Sequence, residues 1–362
     1  MIIGIDSREL THTMTGTGRT LLNLLEYISK NPDQNTYHLF GNQKTNLNFS
    51  FLNNKTFVKN IIPEKFTFLW DHYTLKQHVK AAGVELFFSP YYKAPFIKNI
   101  PAVIVIFDIF YLKIKPYSRR YCRNIYYKIK LKYNCRKAYK VITGSEFSKK
   151  DLVEYLNIPK DKITVIPLSI DSRYTPASRE AVNAVRKKYS LDKKYLLCVG
   201  NSSPHKNINL LIEAFKGLPE NIRRDYQLVL AGIKKSNTDY GPGIITAGFI
   251  SDSDLPALYS GAELFVFPSL YEGFGLPVLE AMACQCPVLT SSSSSLPEIA
   301  GAAAEYFNPN YANELKNKIQ ALLNNPALMN RLKQKGFERA KLFSSDKMSK
   351  DILNILKSAK EK

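Results

Sequence analysis

Residues 271–283 read Tyr271-Glu-Gly-Phe-Gly-Leu-Pro-Val-Leu-Glu-Ala-Met-Ala283, and they follow an apolar run of strand length, Leu264–Phe267. Two glycines, Gly273 and Gly275, would let the backbone approach a ligand closely. Pro277 suits the first position of a helix, where its missing N–H costs nothing. The stretch therefore predicts a strand, a tight loop and a helix N-terminus, which is a natural seat for a phosphate group.

Two carboxylates bracket this predicted seat, Glu272 in the loop and Glu280 in the first turn of the predicted helix. A carboxylate does not favour a phosphate, but it accepts hydrogen bonds from sugar hydroxyls. We expect Glu272 to hold hydroxyls of a transferred sugar and Glu280 those of a ribose. The alternative is a solvated loop glutamate and a glutamate stabilised by the helix dipole, and the spacing alone leaves both open.

The same alternation of apolar strands and helix-like segments extends in both directions, which favours parallel sheets built from βαβ units. A length of 362 residues suits two domains. We predict an α/β architecture with domains at 1–170 and 171–345, followed by a C-terminal helix at 346–362 that returns to the first domain. The predicted strands are Ile2–Ile5, Tyr37–Phe40, Phe57–Ile62, Glu85–Phe88, Ala102–Phe107, Val141–Thr143, Ile163–Ile166, Tyr195–Val199, Gln227–Ala231, Ile244–Thr246, Glu263–Phe267 and Pro287–Thr290.

Glu272 and Glu280, with Gly-Phe-Gly-Leu-Pro text between them, resemble the Glu-x7-Glu signature of glycosyltransferase family 4. The text at 141–148, 163–167 and 296–301 is also similar to that family. The resemblance implies a GT-B fold, in which two Rossmann-like, doubly wound domains face each other across a cleft. It also implies a retaining, metal-independent enzyme in which the first glutamate contacts the donor sugar and the second the nucleotide ribose.

A second predicted donor element is the strand–turn–helix that opens the second half, Val199–Asn207. Lys206 is the best candidate to offset the charge of a departing diphosphate. Family members often place an arginine soon after the glycine, whereas this chain has Asn201, as some mannosyltransferase-like members do. The complete set of predicted donor-binding residues is Gly16, Gly200, Asn201, Lys206, Glu272, Gly273, Phe274, Gly275, Leu276 and Glu280.

The first half offers two further candidates at predicted strand ends. Gly16 lies in a glycine-containing loop, Thr15–Arg19, between the first strand and the first helix, where ligands of open α/β sheets bind. Asp108 ends the strand at Ala102–Phe107, and the family commonly has a histidine at the position of Phe107. We predict that Asp108 acts in catalysis with Glu272 and Lys206. A helix or turn cap is the alternative for Asp108.

Charge is distributed unevenly along the chain, which has a net charge of +20. The block Lys113–Lys140 contains eleven basic residues, six tyrosines and no acid, and it predicts a basic helix attracted to anionic lipid headgroups. We expect Arg119, Arg120 and Arg123 to contact the membrane or the acceptor. A solvated helix face is the alternative, and charge alone would also attract nucleic acid.

These features predict a cytoplasmic enzyme, peripheral on the inner face of the plasma membrane, because no apolar run approaches ~20 residues and the N-terminus lacks the charged and apolar regions of a signal peptide. We expect it to move a hexose from GDP-mannose or a UDP-sugar to a lipid-linked or polysaccharide acceptor in bacterial lipopolysaccharide or other surface-glycan synthesis. We expect no cofactor, no metal and no nucleic-acid partner. The rival functions are a nucleotide-sugar epimerase with the same fold and a basic membrane- or nucleic-acid-binding module without catalysis.

Overall fold

The computed structural model describes residues 1–12, 15–114, 121–233 and 240–359, with the backbone alone at 121 and 122. Contacts divide the chain into two compact units. The first contains Met1–Ser169 and the C-terminal segment from Ser344, and the second contains Ile170–Phe343.

The first unit is built on a sheet of seven strands in the order β3-β2-β1-β4-β5-β6-β7. Every pairing between neighbouring strands is parallel. The strands are β1 (Ile2–Asp6), β2 (Thr36–Gly41), β3 (Phe57–Ile61), β4 (Leu86–Ser89), β5 (Ala102–Val105), β6 (Lys140–Thr143) and β7 (Ile163–Val165).

Helices cover this sheet, and the C-terminal helix packs against the first helix of the same unit. A π-helical turn at Trp70–Thr74 joins α2 to α3. The helices are α1 (Gly16–Lys30), α2 (Thr67–Leu69), α3 (Leu75–Ala81), α4 (Phe110–Lys113), α5 (Tyr121–Lys137), α6 (Glu146–Leu156) and α15 (Ser345–Ser358).

The second unit repeats the plan with six parallel strands in the order β10-β9-β8-β11-β12-β13. Its strands are β8 (Lys194–Val199), β9 (Tyr226–Ala231), β10 (Ile244–Gly248), β11 (Leu264–Phe267), β12 (Val288–Ser291) and β13 (Glu305–Phe307). Its helices are α7 (Arg179–Lys188), α8 (Ile208–Lys216), α9 (Glu220–Asp225), α10 (Leu255–Ser260), α11 (Leu276–Ala283), α12 (Leu296–Ala300), α13 (Ala312–Leu323) and α14 (Pro326–Ala340).

Apolar residues at helical spacing explain how each helix attaches to its sheet. In α8, Leu211 and Phe215 are buried and pack in one cluster with Leu228 and Leu230 of β9. Those two positions alternate along the strand, as expected for one face of a sheet. The predicted fold class, two doubly wound α/β units, is confirmed, although the three-residue strand β13 was not predicted.

Each sheet has one point at which its strand order reverses direction. In the first unit the reversal lies between β1 and β4, and in the second between β8 and β11. In open parallel sheets the crevice outside the carboxyl ends of the strands at such a point is where ligands bind. The fold therefore directs attention to the residues that follow these four strands.

Two predicted positions need correction. Gly16 does not lie in a loop, because α1 begins at Gly16 and the Thr15 side chain caps the helix by accepting from the Gly18 N–H. Glu280 is not in the first turn of its helix, because α11 begins at Leu276 and Glu280 is its fifth residue. Among the described helices, none has the length and hydropathy required to cross a membrane.

Candidate functional site

An ion pair spans the carboxyl ends of the two strands at the reversal point of the second sheet. Lys206 follows β8, Glu272 follows β11, and the Lys206 Nζ lies 2.7 Å from the Glu272 Oε1. Their side chains are only 15% and 14% exposed. The Lys206 ammonium also lies 5.1 Å from the centre of the Phe267 ring. In a half-buried ion pair, each charged side chain can exchange its partner for a ligand group of the matching charge or polarity.

The loop that carries Glu272 is held from below by two serines of the run at 291–295. The Glu272 N–H donates to the Ser294 Oγ at 2.9 Å. The Ser295 hydroxyl donates to the carbonyls of Glu272 and Phe274 at 2.9 and 2.7 Å. These bonds fix the two peptide groups that flank Glu272 and thereby position its carboxylate. This role of the serines was not predicted. The signal for it is a run of serines that directly follows a strand at the ligand-binding edge of the sheet.

Two glycines make close approaches that a larger residue would prevent. Gly275 precedes α11 with φ of +111°, and a Cβ atom there would lie 2.7 Å from the Leu296 Cδ2. Gly232, at the end of β9, has φ of +86°, and its Cβ would lie 2.8 Å from the Gly200 carbonyl oxygen. L-residues rarely adopt such angles. The glycines therefore let the end of β9 approach the end of β8, and the start of α11 approach the start of α12.

The remaining residues of the predicted phosphate seat are buried or half-buried. Gly273 and Gly275 are buried, and Leu276 and Pro277 are half-buried at the start of α11. The Phe274 ring is 4% exposed and packs edge-on against Phe343 at 5.8 Å, so its side chain belongs to the core. The phosphate role predicted for this segment therefore depends on its backbone and on the positive end of α11.

Glu280 lies on α11 and is held by a buried tyrosine. The Tyr259 hydroxyl donates to the Glu280 Oε2 at 3.0 Å. Burial raises the pKa of Tyr259 well above its ordinary value, and the nearby charge of Glu280 raises it further. Tyr259 therefore stays protonated and remains a hydrogen-bond donor to the Glu280 carboxylate.

The turn between β8 and Lys206 is held by one side-chain bond and one backbone bond. The Asn201 Oδ1 accepts from the Ser203 N–H at 3.1 Å, and the His205 carbonyl accepts from the Leu270 N–H at 2.8 Å. His205 is 8% exposed, and burial lowers its pKa, with a further lowering by the charge of Lys206. A neutral His205 beneath the turn leaves Lys206 as the cation of this strand end.

In the first unit, Asp108 lines a cavity of about 460 Å³ at the ends of β4 and β5. Phe107, Thr17 of the first turn of α1 and the exposed Arg123 line the same cavity. The Asp108 Oδ1 accepts from the Phe110 N–H at 3.2 Å, so it also shapes the turn into α4. Asp108 thus combines the cap considered as its alternative with a position on a cavity wall. Arg119 and Arg120 lie outside the described residues.

A charged network that the sequence analysis missed lies at the reversal point of the first sheet. Arg8 follows β1, and its guanidinium binds Asp6 at 2.6 Å and Asp71 at 2.8 Å. Lys93 binds the second oxygen of Asp71 at 2.9 Å, and the Arg8 guanidinium stacks 4.0 Å above the ring of Trp70. Burial alone would lower the pKa of Arg8, but the two carboxylates outweigh it and raise that pKa. No local pattern links these residues, because Arg8 and Asp71 are far apart in sequence.

Asp252 and Asp254, which match the metal-binding Asp-x-Asp pattern of a different glycosyltransferase fold, are both bound to cations of their own unit. Arg173 lies 3.2 Å from Asp252, and Lys188 lies 2.6 Å from Asp254. The Tyr189 hydroxyl also donates to Asp254 at 2.8 Å. These aspartates therefore tie α7 and the segment before it to the start of α10.

Family models match both units. One described as Glycosyltransferase Family 4 matches residues 14–174, and one described as Glycosyl transferases group 1 matches residues 182–339. O-antigen chain mannosyltransferase B of Escherichia coli is 34% identical over 228 residues, which are 60% of this chain and 60% of that protein. O-antigen chain mannosyltransferase RfbU of Salmonella typhimurium is 27% identical over 266 residues, 71% of this chain and 70% of that protein.

Solved structures share the architecture at low sequence identity. Sucrose-phosphate synthase from Thermosynechococcus elongatus superposes with a TM-score of 0.77 at 20% identity, over 99% of both chains. WaaG, a glycosyltransferase involved in lipopolysaccharide biosynthesis, gives 0.74 at 15% identity, over 98% of this chain and 99% of that one. Anabaena Alr3699/HepE in complex with UDP and glucose gives 0.73 at 19% identity, over 99% of both chains. At these identities the likeness establishes the GT-B fold.

Proposed function

We propose that this chain, which belongs to glycosyltransferase family 4, transfers a hexosyl group from a nucleotide sugar to a glycan or lipid-linked acceptor in bacterial surface-glycan synthesis. One observation carries the proposal: the Lys206–Glu272 ion pair lies at the reversal point of the second sheet, beside the N-terminus of α11. Two mannosyltransferases of O-antigen chains among the relatives support the sugar chemistry. They favour GDP-mannose as the donor, with a UDP-sugar as the alternative.

Donor binding would exchange the partners of the ion pair. The diphosphate takes the place of Glu272 beside the Lys206 ammonium, and sugar hydroxyls take the place of Lys206 beside the Glu272 carboxylate. Both groups keep a hydrogen-bonding partner, so neither charge is left uncompensated in a half-buried site. The amide groups at Gly273–Leu276 and the positive end of α11 add to the field at the diphosphate. Glu280, held by Tyr259, accepts from the ribose.

The proposed transfer proceeds with retention at the anomeric carbon and without a metal. The bond between the anomeric carbon and the diphosphate oxygen breaks, and the acceptor oxygen bonds to that carbon from the same face. The acceptor proton goes to the departing phosphate oxygen, so no protein base is needed where Phe107 replaces a histidine. Lys206 stabilises the negative charge that grows on the leaving group. Asp108 accepts a hydrogen bond from the acceptor in the cavity of the first unit.

The acceptor is proposed to be carried at an anionic membrane surface on the cytoplasmic side. The basic helix α5 supports this setting, since its 17 residues include Arg123, Lys128, Lys130, Lys132, Arg136 and Lys137 and no acid. Each basic residue near an anionic surface contributes about 1 kcal/mol of attraction.

The donor proposal is tested by thermal unfolding against a panel of GDP-, UDP- and ADP-sugars. A ligand present at a hundred times its dissociation constant adds about 2.7 kcal/mol of stability. We expect one nucleotide class to raise the melting temperature, and Lys206→Ala to reduce that rise, because it removes charge-assisted bonds of about 1.5–3 kcal/mol each.

Lys188→Ala is the matched control for this test. It removes a lysine paired with a carboxylate at 2.6 Å in the same unit, at the end of α7 and not after β8 or β11. Donor stabilisation that is equal in the two variants would contradict the proposed site. A panel without any stabilising nucleotide sugar would contradict the proposed function itself.

A further inference from the structure

The outward face of α5 is apolar, which is the reverse of an ordinary surface helix. Ile125, Ile129 and Tyr133 are four residues apart and are 42%, 64% and 55% exposed. Tyr126, on the same side, is 57% exposed. The opposite side is buried against the sheet by residues that include Cys135. Two sides of α5 are thus apolar. The inner side is buried, whereas the outer side stays largely exposed, even though the Tyr133 ring makes an edge-on contact with the Phe96 ring at 6.3 Å.

Basic side chains border the exposed stripe of α5. At about 100° per residue, Lys132 lies on one flank of the stripe, and Lys130 and Lys137 lie on the other. The exposed Arg136 lies in line with Ile125 and Ile129, at the C-terminal end of the stripe. The Lys130 ammonium is 5.6 Å from the Tyr126 ring centre, and the Lys137 ammonium is 5.9 Å from that of Tyr133. An apolar stripe bordered by lysines and aromatic rings is the pattern of a helix that lies in the plane of a membrane interface.

A second exposed apolar segment lies next to this stripe. It runs through α2 and the π-helical turn, where Phe66, Phe68, Leu69 and Tyr73 are 68%, 64%, 49% and 62% exposed. A depression of about 220 Å³ joins the two segments, because its lining includes His72 of the π-helical turn and Tyr126, Lys130 and Tyr133 of α5. The Phe68 ring lies 4.6 Å from the ring of His72, so the exposed apolar segment reaches the depression that α5 lines.

We propose that this surface, formed by Phe66–Tyr73 and the outward face of α5, is an anchor whose apolar side chains insert into the interface of an anionic lipid bilayer. It deepens the membrane setting of the proposed function, on which it rests. Attraction by the basic residues alone would hold the chain on the headgroups. The apolar side chains of the anchor enter the acyl boundary, and its lysines reach back to the phosphates.

Charge identifies the occupant of this surface. A second copy of the chain would present the same basic helix, so two such faces repel each other at close range. The surface also combines exposed apolar side chains with basic residues within and beside them, and α5 carries no acid. An anionic bilayer satisfies both parts, because it offers hydrocarbon below a plane of negative charge.

Salt separates an inserted anchor from simple electrostatic adhesion. At 1 M salt the screening length is about 3 Å, so adhesion by exposed charges is lost, whereas burial of apolar side chains persists. We expect the full chain to bind vesicles of phosphatidylcholine and phosphatidylglycerol in sedimentation experiments at 0.15 M salt. A measurable fraction stays bound at 1 M salt.

Two sets of substitutions divide the two contributions. Phe66→Ser, Phe68→Ser and Leu69→Ser together should weaken binding at high salt by at least about tenfold, while salt-sensitive binding remains. Lys130→Gln, Lys132→Gln and Lys137→Gln together should lower the affinity for anionic vesicles roughly a hundredfold at low salt. The fraction that stays bound at high salt should not change.

Tyr311→Ser with Leu342→Ser is the matched control, since these side chains are 60% and 58% exposed but belong to the second unit. Stabilisation by the donor should stay as in the parent chain in every variant, which separates loss of the anchor from loss of the proposed function. Complete release of the parent chain at 1 M salt, or unchanged high-salt binding by the Phe66/Phe68/Leu69 variant, would overturn the proposal. So would a concentration-dependent dimer that this variant abolishes, because the surface would then join two copies.

Discussion

The two reversal points of this molecule have the same topology but differ in how their charged side chains are paired. In the second unit, one lysine and one glutamate face each other, and no third charge completes the Lys206–Glu272 pair among the contacts described. In the first unit, Arg8 binds two carboxylates, Lys93 binds one of them again, and an indole ring covers the guanidinium. The pair in the second unit can exchange its single partner for a ligand group. In the first unit the four charges bind one another, although Asp6, Arg8 and Lys93 also line a cavity of about 230 Å³.

The comparison indicates how a repeated fold separates binding from stability. The two sets of side chains are similarly exposed, so the number of partners makes the difference. Charges that satisfy one another in a network stabilise a position and offer less to a ligand than a single pair does. Substitutions at the first reversal point should therefore act mainly on unfolding, and substitutions at the second mainly on donor binding.

The largest expected effect is that of Arg8→Ala on the stability of the first unit. It leaves Asp6 and Asp71 without their shared cation, and removing one partner of a buried pair costs about 3–5 kcal/mol. We expect a fall in the free energy of unfolding measured by urea denaturation, with donor stabilisation of the second unit retained. Lys206→Ala should show the reverse balance. Equal losses of stability in the two variants would remove the distinction between the two reversal points.

A smaller effect is expected for Gly275→Ala, which must adopt a φ of +111° and meets the Leu296 side chain. The left-handed backbone alone costs about 1–2 kcal/mol. Gly83→Ala in the first unit is the control, because Gly83 has φ of +65° but its Cβ would have only Ile2 nearby, at 3.7 Å. Both variants should lose stability in thermal unfolding, but Gly275→Ala alone should lose stabilisation by the donor. Full donor stabilisation of Gly275→Ala would show that the start of α11 does not contribute to binding.

Ser295→Ala tests whether the serine support of the Glu272 loop matters for the ligand. The variant leaves two carbonyls, those of Glu272 and Phe274, without the hydroxyl that binds them, at a cost of about 1–3 kcal/mol. Ser148→Ala in the first unit removes a comparable buried hydroxyl, which donates to the Phe107 carbonyl at 2.8 Å. Calorimetric titration should show weaker donor binding for Ser295→Ala only. Unchanged affinity would separate the loop support from the site.

The smallest expected effect is on the pH dependence of stability. Burial lowers the pKa of His205 in the folded chain, so below about pH 6.5 the unfolded chain takes up a proton that the folded chain refuses. The free energy of unfolding therefore decreases as the pH falls from about 7 towards the lowered pKa, by at most ~1.4 kcal/mol per pH unit. His205→Gln should flatten this slope in denaturant titrations, whereas the exposed His78→Gln should not. A slope that is the same in both variants would contradict the assignment.

The elements of the fold were largely predictable from sequence because parallel strands buried on both faces appear as short apolar runs. The run at Leu264–Phe267 and the periodic positions of α8 are examples. The strand β13 (Glu305–Phe307) was missed because three residues carry no alternation. The Gly-x-Gly text after the first strand predicts a loop at Gly16, but Thr15 supplies an N-cap signal for a helix that begins there.

The candidate site was predictable only as a set of residues, not as a network. Lys206 and Glu272 were both identified, but the bond between them depends on which strands are neighbours, and that order is not written in local sequence. The same holds for Arg8 and Asp71. In α5 the count of basic residues was visible, whereas the exposure of Ile129 and Tyr133 depends on which side of the helix meets the sheet.

Trp70 is the single tryptophan of the chain and is 1% exposed. Its indole N–H donates to the Ile62 carbonyl at 3.3 Å, and the Arg8 guanidinium covers its ring. Intrinsic indole emission therefore originates wholly in the first unit. The second unit has no tryptophan whose emission could report a nucleotide bound there. Tryptophan fluorescence therefore reports on the first unit alone, and a separate optical probe is needed to follow the second unit.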